Sequence, residues 1–324
     1  MTTLSAEPPA AIDTPLAATN LSKSYGSQPV LRDCTLAVPA GSIVGLLGEN
    51  GAGKTTLLQL LVGMLRPSSG TATILGQPAA TLSEDGRSRI GYVPQRHEMP
   101  AWLTVRQTLD AFAAFYPGAC DPDPLLARWR IPESKKVAAL SGGQQQLVSI
   151  ILAMQHSPDV LVLDEPVASL DPRMRRDFLD LLHERSELAR EDGRTLTILF
   201  STHLLSDLER TATHVALMRD GQIAVMQPLD ELQAGTLRLR ITGRDPLPPP
   251  LLPAITLTQS MRTVVATIRV ADEPRWTEWA ERQDAAVRPE RLSLEDLFVE
   301  LTGDGPPPPT EESIRVADAP EVPQ

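Results

Sequence analysis

The eight residues GENGAGKT, numbered 48–55, stand between the apolar runs SIVGLL and TLLQLLVGML. This order predicts a strand, a glycine-rich turn and a helix, which is the context that the pattern GxxxxGK[ST] requires. Gly48, Gly51 and Gly53 allow the backbone to bend so that successive N–H groups converge on phosphate oxygens. The positive end of the helix that follows adds to this attraction. The stretch therefore predicts a nucleotide phosphate site in an α/β fold.

Two acidic residues, Asp164 and Glu165, end a second apolar run, DVLVL. Such a run predicts a buried strand of a parallel sheet, whose carboxyl end opens toward the ligand crevice. Lys54 would neutralise β- and γ-phosphate oxygens there, while Thr55 and Asp164 would hold Mg²⁺. Glu165, one residue further on, is placed to polarise a water against the γ-phosphate. Taken without the phosphate loop, the two acids could equally be solvated turn residues.

The composition of the 324 residues is that of a globular chain, with 42% hydrophobic residues and a net charge of −11. This charge argues against a nucleic-acid groove, which needs clustered Lys and Arg. Cys34 and Cys120 lie far apart without a CxxC pattern, which favours a reducing compartment. No run approaches 18 apolar residues and no leader pattern opens the chain. We expect a cytoplasmic protein that meets a membrane only through a partner.

The amino-acid composition and pattern change at three points, which divide the chain into four segments. Residues 1–16 form an arm rich in Ala, Pro and Thr, and are expected to be flexible. Strand-like and helix-like patterns alternate over 17–236, which predicts a layered α/β domain. A smaller β/α segment follows over 237–302 as a separate accessory domain. The Pro-rich acidic end, 303–324, has too little apolar surface to fold.

Two adjacent glycines, Gly142 and Gly143, stand where an apolar, helix-like run begins, in the stretch AALSGGQQQLVS. Each glycine costs about 0.5–1 kcal/mol relative to alanine within a helix. Their presence indicates that something approaches the backbone closely at this point. Ser141 is a favoured N-cap residue, so the pattern predicts a helix that starts directly after it.

Four further motifs, in the right order around one phosphate loop, give the chain a resemblance to the nucleotide-binding subunit of an ABC transporter. LSGGQ is the family signature, GYVPQ matches the Q-loop, ASLD the D-loop and FSTH the switch region. The resemblance covers about residues 17–236. It implies a P-loop NTPase core of ABC type, with a mixed sheet and flanking helices, an N-terminal antiparallel β part and a helical subdomain inserted at about 96–156. A small α+β extension is expected after the core.

The resemblance implies four groups of site residues. ATP would contact Tyr25, which matches the adenine-stacking aromatic, and the loop residues Gly48, Glu49, Asn50, Gly51, Ala52, Gly53, Lys54, Thr55 and Thr56. The ATP of a second copy would be contacted by Ser141, Gly142, Gly143, Gln144 and Asp171. The metal ligands would be Thr55, Gln95 and Asp164. The hydrolytic residues would be Glu165, His203 and Gln95.

Family members work as head-to-tail pairs, which offers an answer to the glycine question. A Cβ at Gly142 or Gly143 would hold the signature backbone away from the γ-phosphate of the partner's ATP; the alternative is a flexible hinge. One position departs from the family pattern, because Leu147 stands where Arg or Lys is common. That change puts in question any salt bridge which the basic residue would make.

The partners implied are a second ATPase copy, identical or paralogous, and a separate integral-membrane permease, which would hold the chain on the cytoplasmic face of the cell membrane. No nucleic acid is expected. Met99, Trp102 and Leu103 would line the groove for the permease; the alternative is that they are ordinary core residues. Soluble ribosome-associated members usually carry two nucleotide domains, and chromosome-maintenance members a long coiled coil, neither of which this sequence shows.

The direction of transport is the remaining open choice. The stretch RLSLEDLFVELTG, residues 291–303, resembles the C-terminal helix of ABC-2-type exporter ATPases. Ser293 would be its N-cap and Asp296 the capping-box partner, with one apolar face. That face would consist of Leu294, Leu297, Phe298 and Leu301. Export is therefore favoured, with an importer ATPase as the alternative; the transported substrate cannot be read from a motor subunit.

Overall fold

A computed structural model describes residues 13–96 and 99–297 of the chain. Two compact units make up the chain, the first ending at Gln227 and the second beginning at Pro228. Most of the expected N-terminal arm and all of the expected C-terminal tail lie outside the described residues, as do Phe298 and Leu301.

Strands and helices alternate along the first unit. Its elements are β1 (Leu16–Tyr25), β2 (Gln28–Val38), β3 (Ile43–Leu47), α1 (Lys54–Leu61), β4 (Ser69–Ile74), β5 (Gln77–Pro78), α2 (Glu84–Ser88), β6 (Ile90–Val93), α3 (Val105–Ala113), α4 (Asp123–Arg128), α5 (Gly142–Met154), β7 (Val160–Leu163), α6 (Pro172–Glu191), β8 (Thr197–Thr202), α7 (Leu205–Thr211), β9 (His214–Arg219) and β10 (Gln222–Pro228). The second unit contains α8 (Leu229–Ala234), β11 (Thr236–Gly243), β12 (Thr256–Ser260), β13 (Thr263–Arg269), α9 (Glu273–Arg282) and β14 (Ala285–Glu290). Within the ranges 13–96 and 99–297, no helix combines the length and the apolar character needed to span a bilayer.

The first unit is built on two sheets. One is antiparallel, with strand order β2-β1-β4-β5. The other has the order β10-β9-β3-β8-β7-β6, and its strands from β9 to β6 run parallel. β10 joins β9 through a turn at Asp220-Gly221, in which both residues have positive φ, as such hairpins require. The expected ABC-type arrangement of a mixed sheet with an N-terminal antiparallel part is confirmed.

The parallel sheet brings three loops to one edge. Leu163 at the end of β7 lies opposite Phe200 of β8, and Leu47 at the end of β3 lies opposite Thr202 of β8. The phosphate loop, the two acids and the FSTH segment therefore leave the sheet side by side. Ligands bind at this carboxyl edge in open α/β sheets.

Helix α1 fixes the phosphate loop to the core. Its four leucines, at positions 57, 58, 60 and 61, are buried in the cluster that the two sheets share. Each such burial contributes about 1.5–3 kcal/mol. The sequence predicts a helix over 54–65, but α1 ends at Leu61 because Gly63 adopts a φ of +75°, a conformation that ends helices.

The second unit is a four-stranded antiparallel sheet of order β12-β13-β11-β14 with α9 packed on its core. Trp276 of α9 is fully buried, and its indole N–H donates to the carbonyl of Pro253 at 2.9 Å. Ser293 accepts a hydrogen bond from the N–H of Asp296 at 3.1 Å, as expected of an N-cap. Asp296 in turn accepts from the Ser293 hydroxyl at 2.8 Å, whereas a capping box would use the backbone N–H.

Candidate nucleotide site

The phosphate loop adopts a backbone that depends on its glycines. Gly53 has a φ of +104° and directly precedes α1, which begins at Lys54. A side chain at Gly48 would place Cβ 2.6 Å from the carbonyl oxygen of Met218. Glycine is therefore required at Gly53 by backbone conformation and at Gly48 by close packing.

Lys54 lies over the loop with its charge withdrawn from water. Its ammonium donates to the carbonyl oxygens of Gly48 at 2.8 Å and Glu49 at 3.1 Å, and lies 3.8 Å from Glu165 Oε1. Burial lowers the pKa of Lys54, and the charges of Glu165 and Asp164 oppose that shift. These carboxylates favour the charged form of the buried Lys54 side chain. When a nucleotide binds, its phosphate oxygens would replace the carbonyl oxygens of the loop as hydrogen-bond acceptors.

Asp164 is a fully buried carboxylate with one unsatisfied oxygen. Its Oδ1 accepts from the hydroxyl of Ser201 at 2.8 Å, whereas Oδ2 has no hydrogen-bond partner. Burial raises the pKa of Asp164, against the effect of the Ser201 and Thr55 hydroxyls and of Lys54. A buried unpaired oxygen of this kind is costly, and a hard divalent cation would satisfy it. The residues present thus fit a magnesium ion.

Glu165 leaves the same strand end in a different direction from Asp164. It has a φ of +46°, in the left-handed region that non-glycine residues rarely adopt. Its N–H donates to the Ser201 hydroxyl at 2.8 Å, and its Oε2 lies 3.4 Å from His203 Nδ1. The carboxylate is therefore held between Lys54 and His203, at the carboxyl edge of the sheet.

Ser201 is a site residue that the sequence analysis missed. Its hydroxyl donates to Asp164 and accepts from the N–H of Glu165, so one buried side chain fixes both acids. The signal was present, because a parallel pairing of DVLVLDE with TILFSTH places a serine beside the acids. Reading that signal needs the strand register, which neither segment contains by itself.

The remaining predicted ATP and metal residues lie at the same end of the first unit's sheets or on the loop itself. Tyr25 ends β1 and is 51% exposed, with the Lys23 ammonium 5.3 Å from its ring centroid. Gln95 is exposed two residues beyond β6. On the loop, Ala52 donates its N–H to the Glu49 carbonyl at 3.2 Å. Asn50 and Gly51 are exposed, while Thr55 and Thr56 are half-buried in the first turn of α1.

The signature residues form the N-terminus of α5. Ser141 is the N-cap: its hydroxyl accepts from the N–H of Gln144 at 3.3 Å, and the Gln144 side chain accepts from the Ser141 N–H at 3.2 Å. The helix predicted after Ser141 is confirmed. A Cβ at Gly142 would meet nothing within 4 Å, whereas one at Gly143 would lie 2.9 Å from the carbonyl oxygen of Ser169. Gly143 is therefore needed for packing within one chain, and Gly142 is not.

Asp171 and Leu147 both have roles within the single chain. The carboxylate of Asp171 caps α6 by accepting from the N–H groups of Arg173 at 2.9 Å and Met174 at 3.0 Å. Leu147, which replaces the common basic residue, is fully buried in α5. An apolar residue suits that fully buried environment.

A phosphate loop between β3 and α1, with two acids and a histidine on neighbouring strand ends, defines a P-loop ATPase. The sequence profile described as ABC transporter matches residues 31–168. A second profile, described as AAA domain, putative AbiEii toxin, Type IV TA system, matches residues 136–206.

Relatives of known name match nearly the whole chain. The Nod factor export ATP-binding protein I of Burkholderia orbicola is 33% identical over 88% of this chain and 95% of its own length. The protein of that name from Rhizobium meliloti is 34% identical over 92% of this chain and 90% of its own. The chain therefore belongs to the family of ABC transporter ATP-binding proteins, and it is an ABC ATPase.

Solved structures agree with this assignment. An ATP-binding subunit of an ABC transporter superposes with a TM-score of 0.60 at 30% identity, covering 68% of this chain and 92% of that one. A dimeric ATP-binding cassette in a post-hydrolysis state, bound to ADP and Pi, has a TM-score of 0.58 at 25% identity, covering 66% of this chain and 98% of that one.

Proposed function

We propose that this chain is the ATP-hydrolysing subunit of a membrane exporter, and that it acts as a head-to-tail dimer on a separate permease at the cytoplasmic face. The observation that carries the hydrolytic part is the placement of Glu165 between Lys54 and His203, at 3.8 and 3.4 Å. The names of the export-related relatives support the direction of transport. An importer ATPase is the second candidate.

In the proposed reaction the phosphates lie on the glycine loop and the adenine stacks on Tyr25. Lys54 shifts its hydrogen bonds from the loop carbonyls to β- and γ-phosphate oxygens. Thr55, Asp164 and Gln95 would hold Mg²⁺, which supplies positive charge to those oxygens when bound. Positioning and charge stabilisation account for most of the rate in such sites.

Glu165 is assigned as the group that polarises the attacking water. Its left-handed backbone turns the carboxylate away from Asp164, so the two acids serve different atoms. His203 and Gln95 are assigned to the γ-phosphate and the metal from two sides. Ser201 orients both acids through its hydroxyl.

The second copy would complete each site with its signature. In the single chain the space beside Gly142 is open, which supports a ligand or partner there. Ser141 would offer its hydroxyl, and the N-terminus of α5 its dipole, to a γ-phosphate bound by the other copy. Gly143, Gln144 and Asp171 are assigned to the same interface.

The permease would dock where the Q-loop enters the helical subdomain. Trp102 is 73% exposed, and Met99 and Leu103 are half-buried. Phe115, at the end of α3, is 79% exposed. Aromatic residues are enriched in protein interfaces, which supports this surface as the docking site.

The test is recovery of the partner by a variant held in its ATP-bound state. Tagged Glu165→Gln, expressed in its native cells with ATP and Mg²⁺, is expected to bring down an integral-membrane protein from detergent-solubilised membranes. Tagged Lys54→Ala, which cannot hold the phosphates, is the matched control. Capture of an additional solute-binding protein would favour the importer, and capture of ribosomes in place of a membrane protein would refute the transport assignment.

The dimer is tested with the same variant in isolation. At saturating ATP and Mg²⁺, the molar mass of Glu165→Gln measured by light scattering is expected to be twice that of the nucleotide-free chain. A single-chain mass at all nucleotide concentrations, with ATP binding intact, would contradict the head-to-tail arrangement.

A further inference from the structure

The turn that carries His203 is tied to a buried carboxylate, Asp207. The hydroxyl of Thr202 accepts from the N–H of Leu204 at 3.0 Å and donates to Asp207 Oδ2 at 2.9 Å. Asp207 is 1% exposed, and its own N–H donates to the Leu204 carbonyl at 3.2 Å. The Thr202 hydroxyl, which precedes His203, therefore links the backbone of Leu204, which follows His203, to the Asp207 carboxylate.

Arg175, on α6, binds the other oxygen of Asp207. Its Nε donates to Oδ1 at 2.5 Å, and its Nη2 also contacts this carboxylate. A buried carboxylate is tolerated only when it is paired and hydrogen-bonded, and Asp207 meets both conditions. Arg175 lies one helical turn after Asp171, the D-loop residue that caps α6. The network therefore connects the start of α6 with the turn of His203.

The buried pair is one of several contacts between α6 and α7. The same two helices are joined at the surface, where Arg210 donates to both oxygens of Asp180 at 2.9 and 3.0 Å. Buried ion pairs add little net stability compared with apolar residues of similar volume. A carboxylate at Asp207 instead selects one arrangement of the turn, because each of its oxygens has a fixed donor.

We propose that Asp207 is a positioning residue for His203 in ATP hydrolysis. Arg175 binds the Asp207 carboxylate and so connects it to α6, the helix that begins directly after the D-loop. The inference rests on the proposed function, since it takes His203 as part of the hydrolytic site. His203 Nδ1 lies 3.4 Å from Glu165 Oε2, a geometry that a small rotation of the turn would break. A misplacement of about 1 Å can cost about 100-fold in rate.

The test compares Asp207→Asn in the full-length chain with the same change in a His203→Ala background. In the wild-type background kcat for ATP hydrolysis is expected to fall about tenfold to 100-fold, while the Kd for ATP changes by less than about twofold. In the His203→Ala background, Asp207→Asn is expected to add no further loss. Residues that act as a unit show this non-additivity, and independent ones do not.

Two further variants separate positioning from stability. Asp180→Asn removes the surface pair between the same helices and is expected to leave kcat unchanged. Thr202→Val keeps the shape of the side chain but removes the hydroxyl, and is expected to lower kcat as Asp207→Asn does. If Asp207→Asn does not fold, by circular dichroism, Thr202→Val in the two backgrounds decides the question.

Each outcome has a distinct meaning. Equal losses from Asp207→Asn with and without His203, or an equal loss from Asp180→Asn, would overturn the positioning role. Wild-type kcat in folded Asp207→Asn and Thr202→Val, with a slow His203→Ala, would overturn this inference and leave the proposed function standing. Wild-type kcat in His203→Ala would overturn this inference together with the assignment of His203 to the hydrolytic site.

Discussion

The hydroxyl of Ser201 lies 2.8 Å from Oδ1 of Asp164 and joins the ends of two neighbouring strands. The Oγ atom of Ser201 also accepts a hydrogen bond from the N–H of Glu165 at 2.8 Å, so the acid assigned to the metal and the acid assigned to water share one anchor. Three groups of the site are therefore linked by hydrogen bonds, and disturbing the anchor is expected to disturb both chemical roles.

Ser201→Ala is expected to destabilise the chain and to slow hydrolysis. The change removes the hydroxyl that donates to buried Asp164 and accepts from the N–H of Glu165, at a cost of about 1–3 kcal/mol. Thermal unfolding without nucleotide, together with kcat at saturating ATP, measures the two effects. Ser201→Thr retains the hydroxyl and is the control. An unchanged midpoint and rate in Ser201→Ala would show that the anchor is dispensable.

Gly143→Ala is expected to lose stability, whereas Gly142→Ala is expected to lose ATP hydrolysis. A Cβ at Gly143 would lie 2.9 Å from the carbonyl oxygen of Ser169, so this variant loses about 1–3 kcal/mol of stability in the single chain. A Cβ at Gly142 meets nothing within 4 Å and alanine is favoured over glycine in a helix, so this variant keeps or raises its unfolding midpoint. It is expected to lose hydrolysis, by about tenfold or more, through the dimer. Calorimetry and turnover on both proteins give the comparison. Full activity of Gly142→Ala would argue against a trans contact there.

Acid is expected to weaken the attachment of α4 to α6. Partial burial acts to raise the pKa of Asp177, but hydrogen bonds from Arg128 and from the Trp129 indole, at 3.0 and 2.6 Å, hold it below its usual value. A depressed pKa gives stability that is complete above the unfolded value of about 3.9 and is lost as pH falls through the folded value. Asp177→Asn should therefore cost stability at neutral pH and progressively less below about pH 4.

Urea unfolding of wild type and Asp177→Asn at several pH values measures this difference. In an Arg128→Gln background the pH dependence is expected to shrink, because one of the groups that depress the pKa is gone. A difference between the two proteins that stays constant from neutral pH to about pH 3 would contradict the assignment.

The two cysteines are expected to differ sharply toward thiol reagents. Burial raises the pKa of Cys34 to about 11, whereas Cys120 is exposed. Because the thiolate is the reactive form, the native chain should show one fast-reacting thiol at about pH 8 and two after denaturation. Cys120→Ser should abolish the fast phase in Ellman's assay. A fast phase that survives this change would mean that Cys34 is accessible.

Local patterns were enough to predict the elements that carry the site. The glycine loop, the start of α1 at Lys54 and the cap at Ser141 depend on residues within a few positions of each other. The buried strand before Asp164 is also a local signal, since continuous apolar runs bounded by polar residues have few alternatives. These features agree in sequence and in structure because no distant partner decides them.

Contacts between distant segments were not predictable in the same way. Ser201 meets Asp164 through a strand register set by the whole sheet, and Gly143 is explained by the Ser169 carbonyl. Arg175 and Asp207 lie on two helices whose relative placement no periodicity fixes. The sequence shows which residue types stand at these positions but not which partners they contact, because side-chain partners depend on the packing of the folded chain.

The open space beside Gly142 also has a consequence for how this protein can change over generations. Variation at Gly143 is restrained by the folding of each molecule, because any side chain there meets the molecule's own backbone. A side chain at Gly142 meets no such obstacle, so variation there is restrained by the binding of a second copy and its nucleotide after folding. A lineage that gave up the second half of the site could therefore lose Gly142 while keeping Gly143. Comparison of the two positions among descendants would reveal which of them still assemble.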